Sequence, residues 1–183
     1  LEVDAAFSYL DNEEIGRVRT VPLYRERYRL LVSSDGVFGD RERVTWAEVG
    51  KVPLCLLTPD MQNRRVIDRL MRSAGVEVAP RLQSNSMIVL YAHVRTGRWA
   101  SVMPAKLAKA LRLTDTLRSI PIVGPEESHT MGLIVPQRKK TTMLMAAFVE
   151  EARGLAKVIE PSLGQTGEAD LVATVMQYAG PVG

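Results

Sequence analysis

Cysteine, histidine and long apolar runs are scarce in this sequence of 183 residues, and each scarcity excludes a class of protein. The single cysteine, Cys55, cannot form an internal disulfide, so a disulfide-rich secreted scaffold is excluded. The only histidines are His93 and His129, and no His-x-x-x-His or Cys-x-x-Cys spacing supports a metal site. The longest uncharged apolar runs, 52–58 and 87–92, are too short to cross a bilayer. We therefore expect a cytoplasmic protein with no membrane partner.

Sequence motifs for nucleotide binding and for nucleophilic catalysis are also missing. Neither Gly-x-Gly-x-x-Gly nor the Walker pattern occurs, and Gly-x-Ser-x-Gly is absent as well. Cys55 lies in an apolar segment predicted to be a buried strand, where the thiol pKa rises and access is blocked. We therefore predict no catalytic residue, no cofactor and no metal.

What is present is the composition of an ordinary soluble domain, with 46% hydrophobic residues, 25% charged residues and a net charge of +3. One segment, 17–29, carries five arginines and one glutamate. Clustered arginines can neutralise nucleic-acid phosphates. However, Leu and Arg share one parity in residues 23–29 while Tyr and Glu share the other, which favours an extended strand with solvated arginines.

Strand and helix patterns alternate through the middle of the chain, and this alternation predicts an α/β fold with a parallel sheet. Further strands are expected at 5–10, 119–123 and 131–135, and a short helix follows the capping residue Thr45. A helix at 141–155 carries Leu144, Ala147, Phe148 and Leu155 on one side, and a weaker one spans 168–178. The apolar stripe at 143–148 is expected to belong to the core or to a subunit interface. The alternating units are strand 54–57 with a helix from Thr58-Pro59-Asp60 to Gly75, strand 76–83 with helix 87–96 before Gly97, and strand 99–103 with helix 104–111.

Two polar turns, 58–63 and 84–86, connect strands to helices at corresponding positions of neighbouring units. Helix N-termini carry unpaired N–H groups and the positive end of the helix dipole, so they favour anions. In open α/β sheets, ligands bind at the carboxyl ends of parallel strands. Simple N-capping is the alternative for each turn alone, and the two together predict a binding cleft.

The order of the sequence segments resembles that of one known family. Segments 3–9, 22–32, 45–49 and 53–57 follow one another in the expected order, and Gly97 stands seven residues before a proline. Over residues 1–157 the chain resembles the effector-binding part of LysR-type transcriptional regulators. The resemblance implies a fold like type 2 periplasmic binding proteins, in which two α/β lobes with parallel-core sheets are joined by crossover strands around a small effector.

The resemblance also implies a division of the chain into lobes. Residues 1–26 and 123–157 would form part of an incomplete first lobe, 27–122 the second lobe, and 158–183 a tail without counterpart. Members of this family carry an N-terminal winged helix-turn-helix that is absent here. We therefore expect a piece of a regulator that meets DNA only through that missing domain and that forms a homodimer or homotetramer in the full-length protein.

Carried over residue by residue, the resemblance implies effector contacts in both lobes. In the second lobe these are Thr58, Pro59 and Asp60 of the first polar turn, and Ser84, Asn85, Ser86 and Met87 of the second; in the first lobe they are Ser8 and Tyr9. Two departures from the family pattern stand out. Trp99 replaces a usual glycine and is expected to reshape the cleft rim, and residues 35–38 replace a His-Pro-Leu stretch.

The function implied by the resemblance is sensing of a small metabolite rather than catalysis. Neutral hydroxyl and amide groups at helix ends point to a small carboxylate or similar anion. Two alternatives stay open at this stage. One is a solute-binding protein of a transporter, and the other is a small α/β enzyme that uses the 58–63 turn.

Overall fold

The computed structural model describes residues 3–11, 16–38, 40–77, 79–111, 116–124, 128–137 and 142–159. The predicted helix at 168–178 lies outside these residues. The chain divides into two compact units, with boundaries between residues 26 and 27 and between 127 and 128. In chain order the elements are β1 Ala6–Tyr9, β2 Val18–Glu26, β3 Tyr28–Ser33, β4 Val44–Thr45, α1 Trp46–Val49, β5 Cys55–Leu57, α2 Gln62–Ser73, β6 Leu82–Ser84, α3 Met87–Val94, β7 Ser101–Pro104, α4 Ala105–Ala110, β8 Leu117–Val123, β9 His129–Pro136 and α5 Met143–Ile159.

The second unit, between the two boundaries, contains a mixed sheet in the order β4-β8-β3-β7 and a parallel pair, β5-β6. A parallel bridge between Leu54 and Ala100 joins β5 to β7. Strand β3 pairs antiparallel with both β7 and β8, while β4 is parallel to β8. The parallel arrangement predicted for the three strand–helix units is therefore confirmed, and β3 is the one described strand of this unit that runs the opposite way.

Apolar periodicity explains the core of the second unit. Helix α2 buries Val66, Ile67, Leu70 and Met71 along one stripe, as the sequence predicts, and Gly75 follows it at φ 74°. Each fully buried aliphatic side chain of this size contributes about 1.5–3 kcal/mol relative to an exposed one. A cluster beneath α3 and α4 is formed by Leu31, Cys55, Leu57, Leu90, Val94, Met103, Ala108 and Leu117.

The short helix α1 is held by the predicted cap at Thr45. The Thr45 hydroxyl accepts a hydrogen bond from the Glu48 amide at 3.2 Å, and the Thr45 amide donates to the Glu48 carboxylate at 2.8 Å. This reciprocal pair is a capping box. Hydrogen bonds from the backbone and side chain of Thr45 lower the pKa of Glu48, because they stabilise its charged form.

Helix α2 begins later than the sequence predicts. Its N-cap is Met61 and its first residue is Gln62, so the prediction that Thr58-Pro59-Asp60 starts the helix is wrong. Residues 58–61 form a turn instead, closed by a hydrogen bond from the Met61 amide to the Thr58 carbonyl at 3.0 Å. The turn places Pro59 and Asp60 in exposed positions at the end of β5.

The second polar turn also differs from the prediction in detail. Ser86 is the N-cap of α3 but makes no side-chain capping bond, and the Ser84 hydroxyl instead accepts a hydrogen bond from the Ser86 amide at 3.2 Å. The predicted strand over 76–83 is reduced to three residues, Leu82–Ser84. A parallel partner is available only over that stretch, where Cys55 pairs with Leu82.

The first unit is built on an antiparallel sheet in the order β1-β9-β2. Its described strands therefore lack the parallel core that the family resemblance implies for this lobe. Gly132 lies in the central strand, where an added Cβ would come within 2.4 Å of the Val21 carbonyl oxygen. Only glycine fits there without displacing β2.

Helix α5 packs on this sheet through a face that the sequence analysis did not select. Val149, Ala152 and Ala156 are buried, whereas Leu144 is 81% exposed and Phe148 is 43% exposed. Leu144 and Phe148 therefore do not belong to the core of this chain, and their predicted alternative role at a subunit interface stays a prediction. Ala152 packs in one cluster with Val21, Leu133 and Val135, and its small side chain lets the helix backbone approach the sheet closely.

Candidate functional site

The two polar turns meet at the carboxyl edge of β5 and β6. Leu57 pairs with Ser84 in parallel register, and the Thr58 amide extends the ladder by donating to the Ser84 carbonyl at 3.1 Å. The turns are 26 residues apart in sequence, yet the strand pairing places them side by side. The sequence inference that these two turns neighbour each other is therefore confirmed, while their contact with an effector stays a prediction.

Arg64, which the sequence analysis overlooked, ties this edge together. Its guanidinium donates to the Leu57 carbonyl at 2.7 Å and to the Gln83 side-chain oxygen at 3.0 Å. Its Nε donates to the Asp68 carboxylate at 2.6 Å, and the arginine side chain is 6% exposed. One buried cation thus fixes the end of β5, the end of β6 and the first turns of α2. Two sequence signals mark Arg64, an acidic partner four residues later and a place three residues before Ile67 on the apolar stripe, but neither identifies its partners on β5 and β6.

The predicted contact residues at this edge differ in accessibility. The Thr58 hydroxyl oxygen is covered and has no hydrogen-bond partner among the described residues. The exposed backbone of the turn is braced by the Arg65 guanidinium, which donates to the Asp60 carbonyl at 2.6 Å. Pro59, Asp60 and Asn85 are exposed, whereas Ser84, Ser86 and Met87 are half-buried.

The electrostatics of this edge combine two helix N-termini with charged side chains. Helices α2 and α3 both begin here, and neither N-cap, Met61 or Ser86, uses its side chain to satisfy a backbone N–H group. The charge of Arg64 is balanced by Asp68, and Asp60 adds one negative charge to the surface. In the described parts of the chain, no group of three or more His, Cys, Asp or Glu side chains is placed to hold a metal.

The two predicted contacts in the first unit, Ser8 and Tyr9, are consecutive on β1 and so face opposite sides of the sheet. Tyr9 is buried and lies edge-on to His129, with ring centroids 6.1 Å apart. His129 begins β9, and its Nδ1 lies 3.5 Å from the Asp11 carboxylate. Burial alone would raise the pKa of Asp11, yet hydrogen bonds from Thr130 and the nearby imidazole lower it.

Trp99 lies at the other end of the second unit from the polar turns. It precedes Ala100, which bridges to Leu54 at the amino end of β5, whereas Thr58 follows the carboxyl end of that strand. The expectation that Trp99 reshapes the rim beside the predicted contacts is therefore wrong, because parallel strands separate their two ends. The indole instead packs partly buried against the core cluster.

Cys55 and His93 have structural roles. Cys55 is fully buried, with Sγ 3.5 Å from the Ala100 carbonyl, and burial raises the pKa of its thiol to about 11. His93 Nδ1 lies 2.8 Å from the Val89 carbonyl within α3. The prediction that Cys55 lies in the core is confirmed, while its lack of reactivity stays a prediction. None of the helices in the described ranges is long and apolar enough to cross a membrane.

Residues 2–157 match the protein family described as the LysR substrate binding domain. One curated relative, a probable nitrogen assimilation transcriptional activator of Synechococcus elongatus, is 23% identical over 117 residues. That alignment covers 64% of this chain but 38% of the relative. The chain therefore spans well under half the length of this curated relative.

Two solved structures have a similar fold. The effector-binding domain of QuiR in complex with shikimate superposes with a TM-score of 0.70 and 16% identity, covering 85% of this chain and 72% of that one. Full-length CbnR in complex with its target DNA gives a TM-score of 0.66 and 20% identity, covering 84% of this chain and 52% of that one. At such identities the likeness establishes the fold alone, whereas the family match extends over most of the chain. This chain belongs to the LysR substrate-binding domain family.

Proposed function

We propose that this chain senses a small carboxylate at the carboxyl edge of β5 and β6, as part of a longer transcriptional regulator. The observation that carries the proposal is the buried Arg64 network, which links the Leu57 carbonyl to the Gln83 side chain. It fixes the two strand ends from which the polar turns start, and so sets the base of the proposed site. The fold and family are those of transcriptional regulators rather than enzymes.

The proposed effector carries one carboxylate on a small polar body. Two helix N-termini without side-chain caps supply N–H donors for the carboxylate. Ser84, Asn85 and Ser86 add neutral hydroxyl and amide groups that suit hydroxyl or carbonyl oxygens on the same ligand. The exposed Asp60 disfavours an effector with several negative charges.

Binding at this edge also offers a way to change the conformation of the chain. The covered Thr58 hydroxyl lacks a partner among the described residues, and leaving such a group unsatisfied costs about 1–3 kcal/mol. A ligand oxygen reaches it only when the 58–61 turn shifts. An effector that satisfies this hydroxyl therefore binds the shifted turn better than the unshifted one, and that difference in affinity moves the conformational equilibrium.

In the longer protein, we propose that this shift changes DNA binding by a separate N-terminal winged helix-turn-helix. The structure of full-length CbnR with its target DNA supports such a division of labour in a protein of the same fold. In this proposal the present chain has no DNA contact of its own, acts in the cytoplasm, and assembles in the longer protein as a homodimer or homotetramer.

The proposal is tested by calorimetric titration of the chain with a panel of small monocarboxylates. Shikimate is included because the QuiR domain was solved with it. Thr58→Val keeps the side-chain shape and removes the hydroxyl without breaking a hydrogen bond of the free protein. The carboxylate of the panel with the highest affinity is used for this comparison. We expect the change to weaken its binding about tenfold, which corresponds to about 1.4 kcal/mol. Ser84→Ala is expected to weaken it by a smaller factor.

Ser73→Ala is the matched control, because Ser73 lies at the far end of α2 and its hydroxyl donates only to the Leu70 carbonyl, at 2.8 Å. We expect it to leave the affinity unchanged. Equal affinities of wild type, Thr58→Val and Ser84→Ala would place the effector elsewhere. A panel with no binder at all would contradict the carboxylate assignment.

A further inference from the structure

A pocket opens in the second unit at the end opposite the polar turns. It encloses about 40 Å³ and is open to solvent on one side, and its walls include Val32, Ser33, Val37, Val52, Arg98 and Trp99. These residues come from the end of β3, the following loop, and the segments that lead into β5 and β7. We call this the Trp99 pocket. Because it lies at the amino ends of β5 and β7, it is separate from the edge that carries Thr58 and Ser84.

Both departures from the family pattern meet in this pocket. Trp99 stands where a glycine is expected, and Val37 belongs to the 35–38 stretch that replaces His-Pro-Leu. The two are about 60 residues apart in sequence, yet both line the same cavity. Next to Val37, Phe38 has φ 70°, a strained conformation for a bulky residue. Such strain is retained mainly where the surrounding structure or a function demands it.

The walls of the Trp99 pocket combine apolar side chains with one cationic group and one indole N–H donor. Val32, Val37 and Val52 supply aliphatic surface, and the partly buried Trp99 indole supplies an aromatic one. Arg98 is exposed, and no acidic side chain among the described residues pairs with it. A guanidinium and an indole N–H are donors only, so they complement an acceptor such as a carboxylate.

The size of the pocket limits the ligand. Sites for small molecules usually measure about 300–1,000 Å³. The Trp99 pocket, at about 40 Å³, is far smaller, so it takes at most one ring or one branched aliphatic chain, part of which stays outside the pocket, and it excludes a two-ring body. An aromatic ring is favoured over an aliphatic one, because it can pack against the indole in an offset or edge-on arrangement.

We infer that the Trp99 pocket is a second small-molecule site, which binds an apolar monocarboxylate with a single ring. The ring lies against Trp99 and the valine side chains, and the carboxylate pairs with Arg98. This site goes beyond the proposed effector site, because the two share no residue. A compound can therefore occupy one site without competing for the other.

The two tryptophans of the chain provide the test. Trp99 lines the pocket, whereas Trp46 is 3% exposed and packs edge-on against Tyr28. The full chain is labelled with 5-fluorotryptophan, and the two fluorine resonances are assigned with Trp99→Phe. Phenylacetate is titrated to about 50 mM at constant ionic strength, because a ligand this small binds in the millimolar range. Phenylacetamide serves as its neutral counterpart.

We expect phenylacetate to shift the Trp99 resonance saturably and to leave the Trp46 resonance in place. Phenylacetamide should bind about two- to fivefold more weakly, as an exposed ion pair contributes modestly. Arg98→Gln should remove this preference, whereas Arg95→Gln, an exposed arginine outside the pocket, should keep it. A Trp99 resonance that does not move, or that moves in parallel with Trp46, overturns the site. A preference that survives Arg98→Gln overturns the role of the arginine.

Discussion

Replacing Arg64 by methionine tests the network that positions the proposed effector site. Methionine keeps an unbranched apolar stem of similar length, so the change removes mainly the charge and its hydrogen bonds. Those bonds run to the Leu57 carbonyl, the Gln83 side chain and the Asp68 carboxylate, at 2.7, 3.0 and 2.6 Å. The substitution therefore leaves one buried carbonyl, one exposed amide oxygen and one carboxylate without their donor.

The expected loss of stability is about 3 kcal/mol. Removing one partner of a buried ion pair usually costs about 3–5 kcal/mol. The lower end applies here, because the Asp68 side chain is 21% exposed and can regain water when Arg64 is gone. Asp68→Asn alone keeps an acceptor and should cost about 1 kcal/mol. In the Arg64→Met background the same change should cost close to nothing, since the partner charge is already absent.

Urea unfolding followed by tryptophan fluorescence measures these differences, because both tryptophans, Trp46 and Trp99, lie in the second unit. A loss of about 3 kcal/mol lowers the midpoint by about 1.5 M at a slope of about 2 kcal/mol/M. Arg69→Met, on the exposed face of the same helix, should stay within about 0.5 kcal/mol of wild type. The reasoning is refuted if Arg64→Met costs no more than Arg69→Met.

Three further predictions concern single groups. Because burial raises the pKa of Cys55 to about 11, its thiol should not react with Ellman's reagent at pH 8 until urea unfolds the chain. The protonated thiol stabilises the folded state, and this contribution should be lost as the pH rises from about 9 towards 11. Thr45→Ala should lower the free energy of unfolding by about 1 kcal/mol, measured in urea, because the α1 cap is lost. Thr45→Ser should keep most of the stability of wild type, because serine also caps the helix. Since the pKa of Asp11 is lowered, its carboxylate stabilises the folded state above about pH 4, and this stabilisation is lost at lower pH. The melting temperature of Asp11→Asn should therefore depend less on pH between 3 and 5 than that of wild type. Parallel plots of melting temperature against pH for the two proteins would contradict this.

Local signals in the sequence were sufficient where one residue decides the structure. Thr45 with Glu48 three residues later specifies a capping box, and Gly75 supplies the positive φ that ends α2. The neighbouring polar turns followed from the strand–helix alternation, because parallel strands bring corresponding ends together. These features depend on short spacings that the chain itself fixes.

Features that depend on a distant partner were not predictable in the same way. In helix α5, the sequence groups Leu144 and Phe148 on one side but does not show that Val149 and Ala152 are the residues that face the sheet. Only the proximity of the sheet decides that the smaller residues face inward. Arg64 was overlooked for the same reason, since its partners Leu57 and Gln83 belong to separate strands. Its i, i+4 partner Asp68 alone does not distinguish a buried anchor from a surface pair.

Strands β3 and β8 carry the chain into and out of the second unit, and they are hydrogen-bonded neighbours in which Arg29 pairs with Pro121. The Arg29 guanidinium clamps them further, donating to the Ser119 hydroxyl at 3.0 Å and to its carbonyl at 2.7 Å. The inserted stretch therefore starts and finishes at adjacent points, the arrangement that domain insertion and circular permutation tolerate best. The second unit, residues 27–127, therefore has the geometry of an inserted domain, in which the strands that lead in and out lie side by side.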